Sequence, residues 1–462
     1  MKKTFVWALM AALVVCGSAF AAPGAGVVAN ATFDTGAPTT TNNDDSCDIG
    51  NAPAATLLLP YFEVDIVSPA GAGETTLFTI TNVSELPQVA HVTLWTDYSF
   101  PVVDFNIFLT GYDVQSINLY DIIARGRIAP NAGTGADKSN EGDLSADDNP
   151  VVDEDTCVNL PVQLSQAYIT RMQSAFTLGR VPALGTTPAC NTAGGVHTNA
   201  VGYATIDVAG LCSTSLPIDP SYFATEIRFD NVLIGDYQQV NGAQNFAQGN
   251  PLVSIRAIPE GGLPGALDTN FDRTFYSRYQ AGGTADRRQP LPALFAARWI
   301  SGGATGFQTF YKIWREGRTG STAACSAYPT NATLGITEFV RFDEEENPTT
   351  LAPGVVISPP IESAPTLPET SLTSASDEAL YPPNPTAAVA GWMYMNLNSG
   401  APEIPAEVAS QNWVVVSMRA EGRFSVDFDA SWLGNGCTGA IGQSSAISAL
   451  GDPIGPAPNT TP

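Results

Sequence analysis

Short segments of alternating apolar and polar residues restrict the fold of this chain more than any other feature. They occupy residues 75–83 (TTLFTITNV), 89–96 (VAHVTLWT), 103–109 (VDFNIFL) and 114–119 (VQSINL). Turn residues separate them at intervals of about ten to twelve residues, the spacing of an antiparallel β-sandwich. The sequence therefore predicts strands with one face in a core and the other in water.

The end of the chain carries the same signal. Residues 413–418 (WVVVSM) form an apolar run that is typical of a buried strand. After Gly422, apolar and polar residues alternate over 424–429 (FSVDFD). This pattern predicts a core face made by Phe424 and Val426 and a solvent face that carries Asp427.

Only one segment predicts a helix of ordinary length. In residues 164–178, apolar side chains recur at helical spacing, and Gly179 follows as a C-terminal stop. We find no repeat of fixed period, which argues against solenoids and propellers. The predicted fold is mostly β: an antiparallel β-sandwich, with one or two sandwiches, long loops and a short helix.

The N-terminus predicts export. Lys2 and Lys3 precede a short apolar run, and Ala19-Phe20-Ala21 forms an A-x-A cleavage site, so 1–21 is interpreted as a signal peptide. Cys16 leaves lipidation as an alternative. We expect a secreted protein, whether periplasmic, at the cell surface or released, with no transmembrane segment in its mature chain, since no second apolar run has spanning length.

Composition divides the mature chain into regions. Residues 22–46 and 438–462 are predicted to be a flexible leader and tail. A first β-rich region at 47–220 contains an acidic loop at 131–157, and a second at 221–437 contains a Pro-rich connection at 348–385.

Cysteine usage agrees with export. Six of the seven cysteines lie after the signal, an even number that predicts disulfides in an oxidising compartment. We predict a bond between Cys190 and Cys212. Cys47 and Cys437 are a weaker second pair, because they bracket the β-rich body.

The charge is strongly acidic: 45 Asp and Glu face 20 Lys and Arg, for a net charge of −25. Such a chain is repelled by nucleic acid, so no nucleic-acid partner is expected. Because an acidic chain attracts cations, calcium is the one cofactor that the sequence suggests. The candidate oxygen ligands in the acidic loop are Asp143, Ser145, Asp147 and Glu154. The loop lacks the glycine that a calcium loop uses for its sharp turn, which favours a solvated loop instead.

No motif for a nucleophile elbow, a zinc protease or a phosphate-binding loop occurs. His91 is interpreted as a packed sheet residue and His197 as a loop residue. Asp97 follows a strand beside aromatic residues, so it either caps a turn or contacts a sugar.

Three aromatic residues near the end of the chain leave three interpretations open. Trp392, Tyr394 and Trp413 could form a sugar-stacking platform or a protein contact, but apolar residues on both faces of the strand favour burial in a core. This chain therefore carries no firm catalytic or cofactor residue.

A resemblance adds to the export signal. It rests on residues 56–65 (TLLLPYFEVD), 90–97 (AHVTLWTD), 109–119 (LTGYDVQSINL), 202–212 (GYATIDVAGLC), 231–237 (NVLIGDY) and 413–423 (WVVVSMRAEGR). These strings resemble a family of uncharacterised exported, β-rich proteins from Gram-negative-type bacteria, which implies a secreted protein and no particular activity.

We expect a non-enzymatic structural or surface-interaction protein of the cell envelope or extracellular matrix. Its partner would be an extracellular protein or glycan. The alternative is a carbohydrate-binding or carbohydrate-cleaving secreted protein.

Overall fold

A computed structural model gives the fold. The described residues are 52–127, 164–185, 188–210, 215–219, 221–257, 274–276, 279, 286, 288, 291–303, 306–317, 334–336, 338–350, 366–384, 388–397, 411–420 and 424–433. The signal peptide, the leader, the tail, the acidic loop and the cysteines other than Cys190 lie outside this part of the chain.

The first nine strands are β1 (Thr56–Val64), β2 (Glu74–Asn82), β3 (Gln88–Thr96), β4 (Pro101–Leu109), β5 (Val114–Asn118), β6 (Ala200–Ala209), β7 (Leu233–Asn241), β8 (Phe246–Pro251) and β9 (Val253–Ile255). They form a five-stranded sheet, β4-β3-β6-β1-β9, and a four-stranded sheet, β5-β2-β7-β8, in which every pairing is antiparallel. We call these sheets 1A and 1B. Strands β7 to β9 lie past residue 220, so the first sandwich extends beyond the boundary expected there.

The remaining strands are β10 (Leu294–Ile300), β11 (Gln308–Arg315), β12 (Leu334–Gly335), β13 (Glu338–Asp343), β14 (Pro348–Thr350), β15 (Thr366–Leu367), β16 (Thr370–Ser374), β17 (Ala390–Asn396), β18 (Asn412–Ala420), β19 (Phe424–Asp429) and β20 (Ser431–Trp432). They form sheet 2A, β14-β13-β17-β10-β20, sheet 2B, β16-β11-β18-β19, and a small pair, β12-β15. The described parts of the Pro-rich stretch thus contribute three short strands.

Two helices accompany the sheets among the described residues. Helix α1 (Leu119–Ile123) begins where the Asn118 side chain accepts a hydrogen bond from the Tyr120 N–H. Helix α2 (Gln166–Leu178) lies within the predicted segment, begins after Ser165 and ends at Gly179, whose φ of 61° is left-handed. A π-helical turn occupies Tyr222–Glu226.

The prediction of an antiparallel β-sandwich is confirmed, and the number of sandwiches is two. Sheets 1A and 1B enclose one core, to which Leu57, Phe62, Phe78 and Ile206 belong. The second core includes Tyr311, Met395 and Val414 from sheets 2A and 2B. It also takes in Leu58, Trp95 and Tyr203 from the outer face of sheet 1A, so this sheet is buried on both faces.

The two sandwiches have the same topology. Without the small β12-β15 pair, each unit has nine described strands, which can be numbered first to ninth in chain order. In each, the larger sheet has the order fourth-third-sixth-first-ninth, and the smaller sheet has the order fifth-second-seventh-eighth. This is an internal duplication of a complete sandwich.

Packing details repeat with the topology. In sheet 1A, a Cβ placed on Gly202 would lie 2.1 Å from the Trp95 carbonyl oxygen and 2.7 Å from the Phe62 ring. In sheet 2A, a Cβ on Gly391 would lie 2.0 Å from the Phe342 oxygen and 2.9 Å from the Trp299 ring. Each glycine thus makes room for an aromatic ring from the neighbouring strand.

A threonine joins the two sheets in both units. The Thr76 hydroxyl accepts a hydrogen bond from the Glu63 N–H and donates one to the Glu63 carbonyl, both at 3.1 Å. Thr309 makes the same two contacts with Ile300, at 2.9 and 2.8 Å. The first and second strands of each sandwich are therefore tied across the core by an equivalent contact.

Candidate functional site

The predicted calcium ligands Asp143, Ser145, Asp147 and Glu154 lie outside the described residues, so the loop stays a prediction. Within the described ranges, no group of three or more His, Cys, Asp or Glu side chains is arranged to hold a metal ion. Cys190 is buried and disulfide-bonded. The residues of both proposed pairs other than Cys190 (Cys212, Cys47 and Cys437) lie outside the described part, so the pairings remain predictions.

A cavity of about 340 Å³ lies along β4, the edge strand of sheet 1A. Its walls are both polar and apolar and come from β4, helix α2 and the segments that follow the helix. The lining residues are Phe100, Pro101, Val102, Val103, Asp104, Tyr168, Arg171, Val181, Leu184 and Leu216. Small-molecule sites in proteins have this size, but their walls are more apolar than these.

Two of the three polar side chains of the cavity already have partners in the protein. The Tyr168 hydroxyl donates a hydrogen bond to the Val102 carbonyl at 3.1 Å, and Arg171 donates one to the Pro182 carbonyl. Burial and the nearby charge of Asp104 raise the pKa of Tyr168 to about 12, so its hydroxyl stays protonated. Both side chains thus brace the wall of the cavity.

Asp104 differs from them, because its Oδ2 atom is buried without a hydrogen-bond partner in the described part of the chain. Burial raises the pKa of this carboxyl, and the charge of His91 opposes the rise. Thr93, directly opposite on β3, also has a buried hydroxyl for which the described residues provide no partner. The alternation in β4 had assigned Asp104 to the polar face, but no sequence signal marked it as a site residue.

A pair of carboxylates occupies the end of the first sandwich. Glu63 accepts hydrogen bonds from the Tyr61 hydroxyl at 2.8 Å and from Asn199 at 2.7 Å. Desolvation, followed by the charge of Glu63, raises the pKa of Glu74 to about 7. A carboxyl group that protonates near neutrality beside a second carboxyl group can support acid–base chemistry.

Asp97 and His197 form a further pair. Asp97 is buried and accepts hydrogen bonds from His197 Nε2 and the Gly195 N–H, both at 2.9 Å. The interpretation of Asp97 as a turn cap is therefore wrong: Thr96 accepts the turn N–H groups of Tyr98 and Phe100 instead. Asp97 joins the loop at 193–197 to strand β3, a structural role.

Asp207 is the centre of a buried network on the outer face of sheet 1A. It accepts hydrogen bonds from the hydroxyl groups of Tyr222 at 2.5 Å, Tyr276 at 2.6 Å and Thr56. The Arg288 guanidinium lies 3.3 Å away, and both charged side chains are fully buried. Solvent does not reach this network, so it stabilises the fold and is no candidate for a reaction site.

The candidate sugar platform is part of the core. Tyr394 and Trp413 are buried, and the half-buried Trp392 stacks on Phe342 with ring centroids 4.5 Å apart. The interpretation as core packing is confirmed by this burial.

Strand β19 reverses the predicted faces. Asp427 is buried against Lys312, whereas Phe424 and Val426 are about half exposed. The alternation was correct, but Phe424 and Val426 lie on the edge strand of sheet 2B, while Asp427 faces the first sandwich.

An exposed apolar surface lies at the end of sheet 1B. Leu86, Tyr112 and Val114 are exposed by 63%, 71% and 56%. The Asn82 side chain donates hydrogen bonds to the carbonyls of Leu86 at 2.7 Å and Thr110 at 2.9 Å, which fixes the two loops together. We call Leu86, Tyr112 and Val114 the apolar end surface.

No known protein family, curated protein or solved structure matches this chain. No helix among the described residues is long and apolar enough to cross a membrane.

Proposed function

We propose that this chain is a non-enzymatic, exported structural protein that assembles with further copies of itself. The observation that carries the proposal is the apolar end surface next to the open edge of β5. Edge strands present unpaired backbone groups, and natural proteins usually protect them with charged side chains. Strand β5 (VQSIN) has none.

The charge of the chain favours a second copy at this edge. A protein with a net charge of −25 repels its own copies except where acidic side chains are few. Antiparallel pairing of β5 with β5 would continue sheet 1B across a two-fold axis, as such self-complementary interfaces require. The Leu86, Tyr112 and Val114 side chains would then be covered on both sides.

The backbone conformation at this surface supports an interaction role. Tyr112 has a φ of 62°, a left-handed conformation that costs a non-glycine residue about 1 kcal/mol or more. Its N–H donates a hydrogen bond to the Ser84 carbonyl at 2.9 Å. A strained, exposed tyrosine held by fixed loops is preorganised for contact.

Sedimentation velocity on the mature chain tests the proposal. We expect a concentration-dependent dimer or larger species between about 1 and 200 µM, the range of weak specific contacts. Ser116→Lys with Tyr112→Lys should remove it, because lysine blocks edge pairing. Val67→Lys, at a residue that is 85% exposed elsewhere, is the matched control and should still assemble. A wild-type chain that stays monomeric throughout would overturn the proposal.

Glycan cleavage is the second candidate function, and it rests on Glu63 and Glu74. The candidate sugar platform does not favour it, since two of those aromatic residues are buried. Release of reducing sugar from a polysaccharide panel near pH 6, lost in Glu63→Gln, would support cleavage. Equal release by wild type and Glu63→Gln would exclude these residues as its source.

A further inference from the structure

At strand β8, the two sandwiches meet through surfaces of different kinds. The first sandwich contributes the side of β8 that carries Phe246, Gln248 and Asn250, and the second contributes the outer face of sheet 2B. Gln248 Nε2 donates a hydrogen bond to Ser417 Oγ at 2.8 Å, and the Arg419 guanidinium lies 5.8 Å from the centre of the Phe246 ring. Such a contact is heterologous, because the two partners use different surfaces.

The duplication gives each residue of this contact a counterpart in the other sandwich. Thr76 and Thr309 are equivalent, because each joins the second strand of its sandwich to the first. From Thr76 the register runs through Gln239 of β7 to Gln248 of β8, and from Thr309 it runs through Met418 of β18 to Val426 of β19. The equivalent pairs on β8 and β19 are therefore Phe246 and Phe424, Gln248 and Val426, and Asn250 and Phe428.

On β19, the side that corresponds to the contact side of β8 is apolar and exposed. It carries Phe424, Val426 and Phe428, which we call the β19 ridge, and the first two are exposed by 52% and 48%. Gln248 is only 6% exposed, where the second sandwich contacts it. Apolar side chains in water at positions whose polar counterpart is buried reverse the usual arrangement, so the β19 ridge has the character of an interaction surface.

The outer face of sheet 1B is the counterpart of the sheet 2B face that β8 contacts. By the same registers, Ser417 and Arg419 correspond to Gln238 and Val240 of β7. Gln238 is exposed and Val240 is half-buried. Among the residues that β7 and β8 place on this face, Asp236 is the one charged residue. A further copy of a chain with a net charge of −25 is therefore repelled less here than at more acidic surfaces.

We propose that the β19 ridge of one chain packs on the outer face of sheet 1B of a second copy, as β8 packs on sheet 2B within one chain. Transfer of the internal contacts to their counterparts places Val426 beside Gln238 and Phe424 beside Val240. Val240 takes the place of the arginine in the internal contact, which gives an apolar ridge an apolar partner.

This contact deepens the proposed self-assembly, and it rests on that proposal for the identity of the partner, a further copy of the chain. It uses β7 and β8, whereas the pairing proposed above uses β5 at the opposite edge of sheet 1B. A heterologous contact repeats from copy to copy until a ring closes or a filament forms. The β19 ridge would therefore extend the assembly beyond a dimer.

Disulfide trapping measures this contact apart from β5 pairing. Both chains carry Tyr112→Lys with Ser116→Lys, which removes β5 pairing at a site two strands away from β7. One chain also carries Val426→Cys and the other Gln238→Cys. At about 100 µM under mild oxidation, we expect this pair to cross-link at least about tenfold faster than Val426→Cys with Val67→Cys, because docking holds the two thiols at a high effective concentration. Val67 is the matched control, since it is 85% exposed elsewhere.

A second variant keeps the test independent of the introduced cysteines. Phe424→Asp, added to the Val426→Cys chain, should lower the cross-linking rate to that of the Val67 control, because it places a charge in the apolar contact. Ser376→Asp, in an exposed turn after β16, should leave the rate unchanged. Peptide mapping identifies the linked cysteines.

Three results would overturn the proposal. They are equal rates with Gln238→Cys and Val67→Cys, an undiminished rate in the Phe424→Asp chain, and faster linkage of Val426→Cys chains to one another than to Gln238→Cys. The last would indicate a two-fold contact between ridges instead. Because β5 pairing is absent from these chains, a failure of the proposed β5 contact in the wild type would not change their cross-linking, so the two proposals fail separately.

Discussion

Asp207 is the residue on which the buried polar contacts of the first sandwich converge. It faces the second sandwich from β6, while Arg288 reaches it from a segment far along the chain. A carboxylate and a guanidinium taken out of water stabilise each other only with good geometry and further hydrogen bonds. Three hydroxyl groups provide those hydrogen bonds.

Asp207→Asn should lower the free energy of unfolding by about 3 kcal/mol, because it leaves Arg288 buried with only Asp286 as a countercharge. Urea unfolding followed by tryptophan fluorescence measures the change. The exposed Asp236→Asn should alter stability by no more than about 0.5 kcal/mol. A loss below about 1 kcal/mol in Asp207→Asn would show that the pair is not stabilising.

Residue-scale prediction from the sequence was limited by partners that are distant along the chain. Alternation placed Asp104 and Asp427 on the polar faces of their strands, but the prediction that Asp427 faces water was wrong. It could not show that another part of the protein covers those faces, since Asp427 is paired with Lys312 of β11. The sequence also could not show that Gly202 leaves room for the Phe62 ring, because that contact depends on the register of the sheet.

At the scale of elements, one turn occurs twice. After β3, the Thr96 side chain accepts the N–H groups two and four residues ahead, and after β13 Asp343 does the same. Each turn places its fourth residue in the left-handed region, with φ of 60° at Ser99 and 65° at Glu346. Two different sequences, TDYSF and DEEEN, thus build one hairpin.

Glycine should stabilise one of these turns and not the other. Glu346→Gly should stabilise the protein by about 0.5–1 kcal/mol, because glycine adopts a positive φ without a steric penalty. Ser99→Gly should give no gain, since the Ser99 hydroxyl is bonded to Tyr203 at 2.6 Å and that contact is lost. Thermal unfolding by circular dichroism compares both variants, and a destabilised Glu346→Gly would show that the turn is not strained.

Most strands were predictable as elements and their pairing was not. Alternation located β2 and β4 within a few residues, because burial on one face leaves a local pattern, and a continuous apolar run located the fully buried β18. The π-helical turn at Tyr222–Glu226 has no counterpart among the predicted elements, because a single turn leaves no periodic pattern in the sequence.

The whole molecule is two copies of one sandwich with loops of unequal length. The spacing between equivalent residues changes along the chain: Phe62 matches Trp299, Trp95 matches Phe342, and Gly202 matches Gly391. Because these spacings differ, the sequence has no repeat of fixed period, and the duplication cannot be recognised from the sequence alone. The interface between the copies includes Tyr203 and Trp314, whose rings meet edge to face with centroids 6.0 Å apart.

Ionisable groups at this interface make the stability of the whole molecule depend on pH. Glu74, near Lys312 and Arg419 of the second sandwich, has its pKa raised to about 7 from the ordinary 4.5, chiefly by burial. Asp429, which accepts a hydrogen bond from Asn250 at 2.6 Å, has its pKa raised from 3.8 to about 6, again chiefly by burial. Both carboxyls bind a proton more tightly in the folded protein than in the unfolded chain.

This difference in proton binding determines whether the free energy of unfolding rises or falls with pH. A carboxyl with a raised pKa contributes stability that is fully present below its ordinary pKa and is lost as the pH rises through its folded value. We therefore expect the free energy of unfolding to fall between about pH 5 and 8, by about 1–2 kcal/mol for Glu74 after screening by solvent. Glu74→Gln cannot ionise, so the urea-derived stability of this variant should change less over that range. An unchanged pH dependence in Glu74→Gln would show that Glu74 does not titrate at the interface in the expected range.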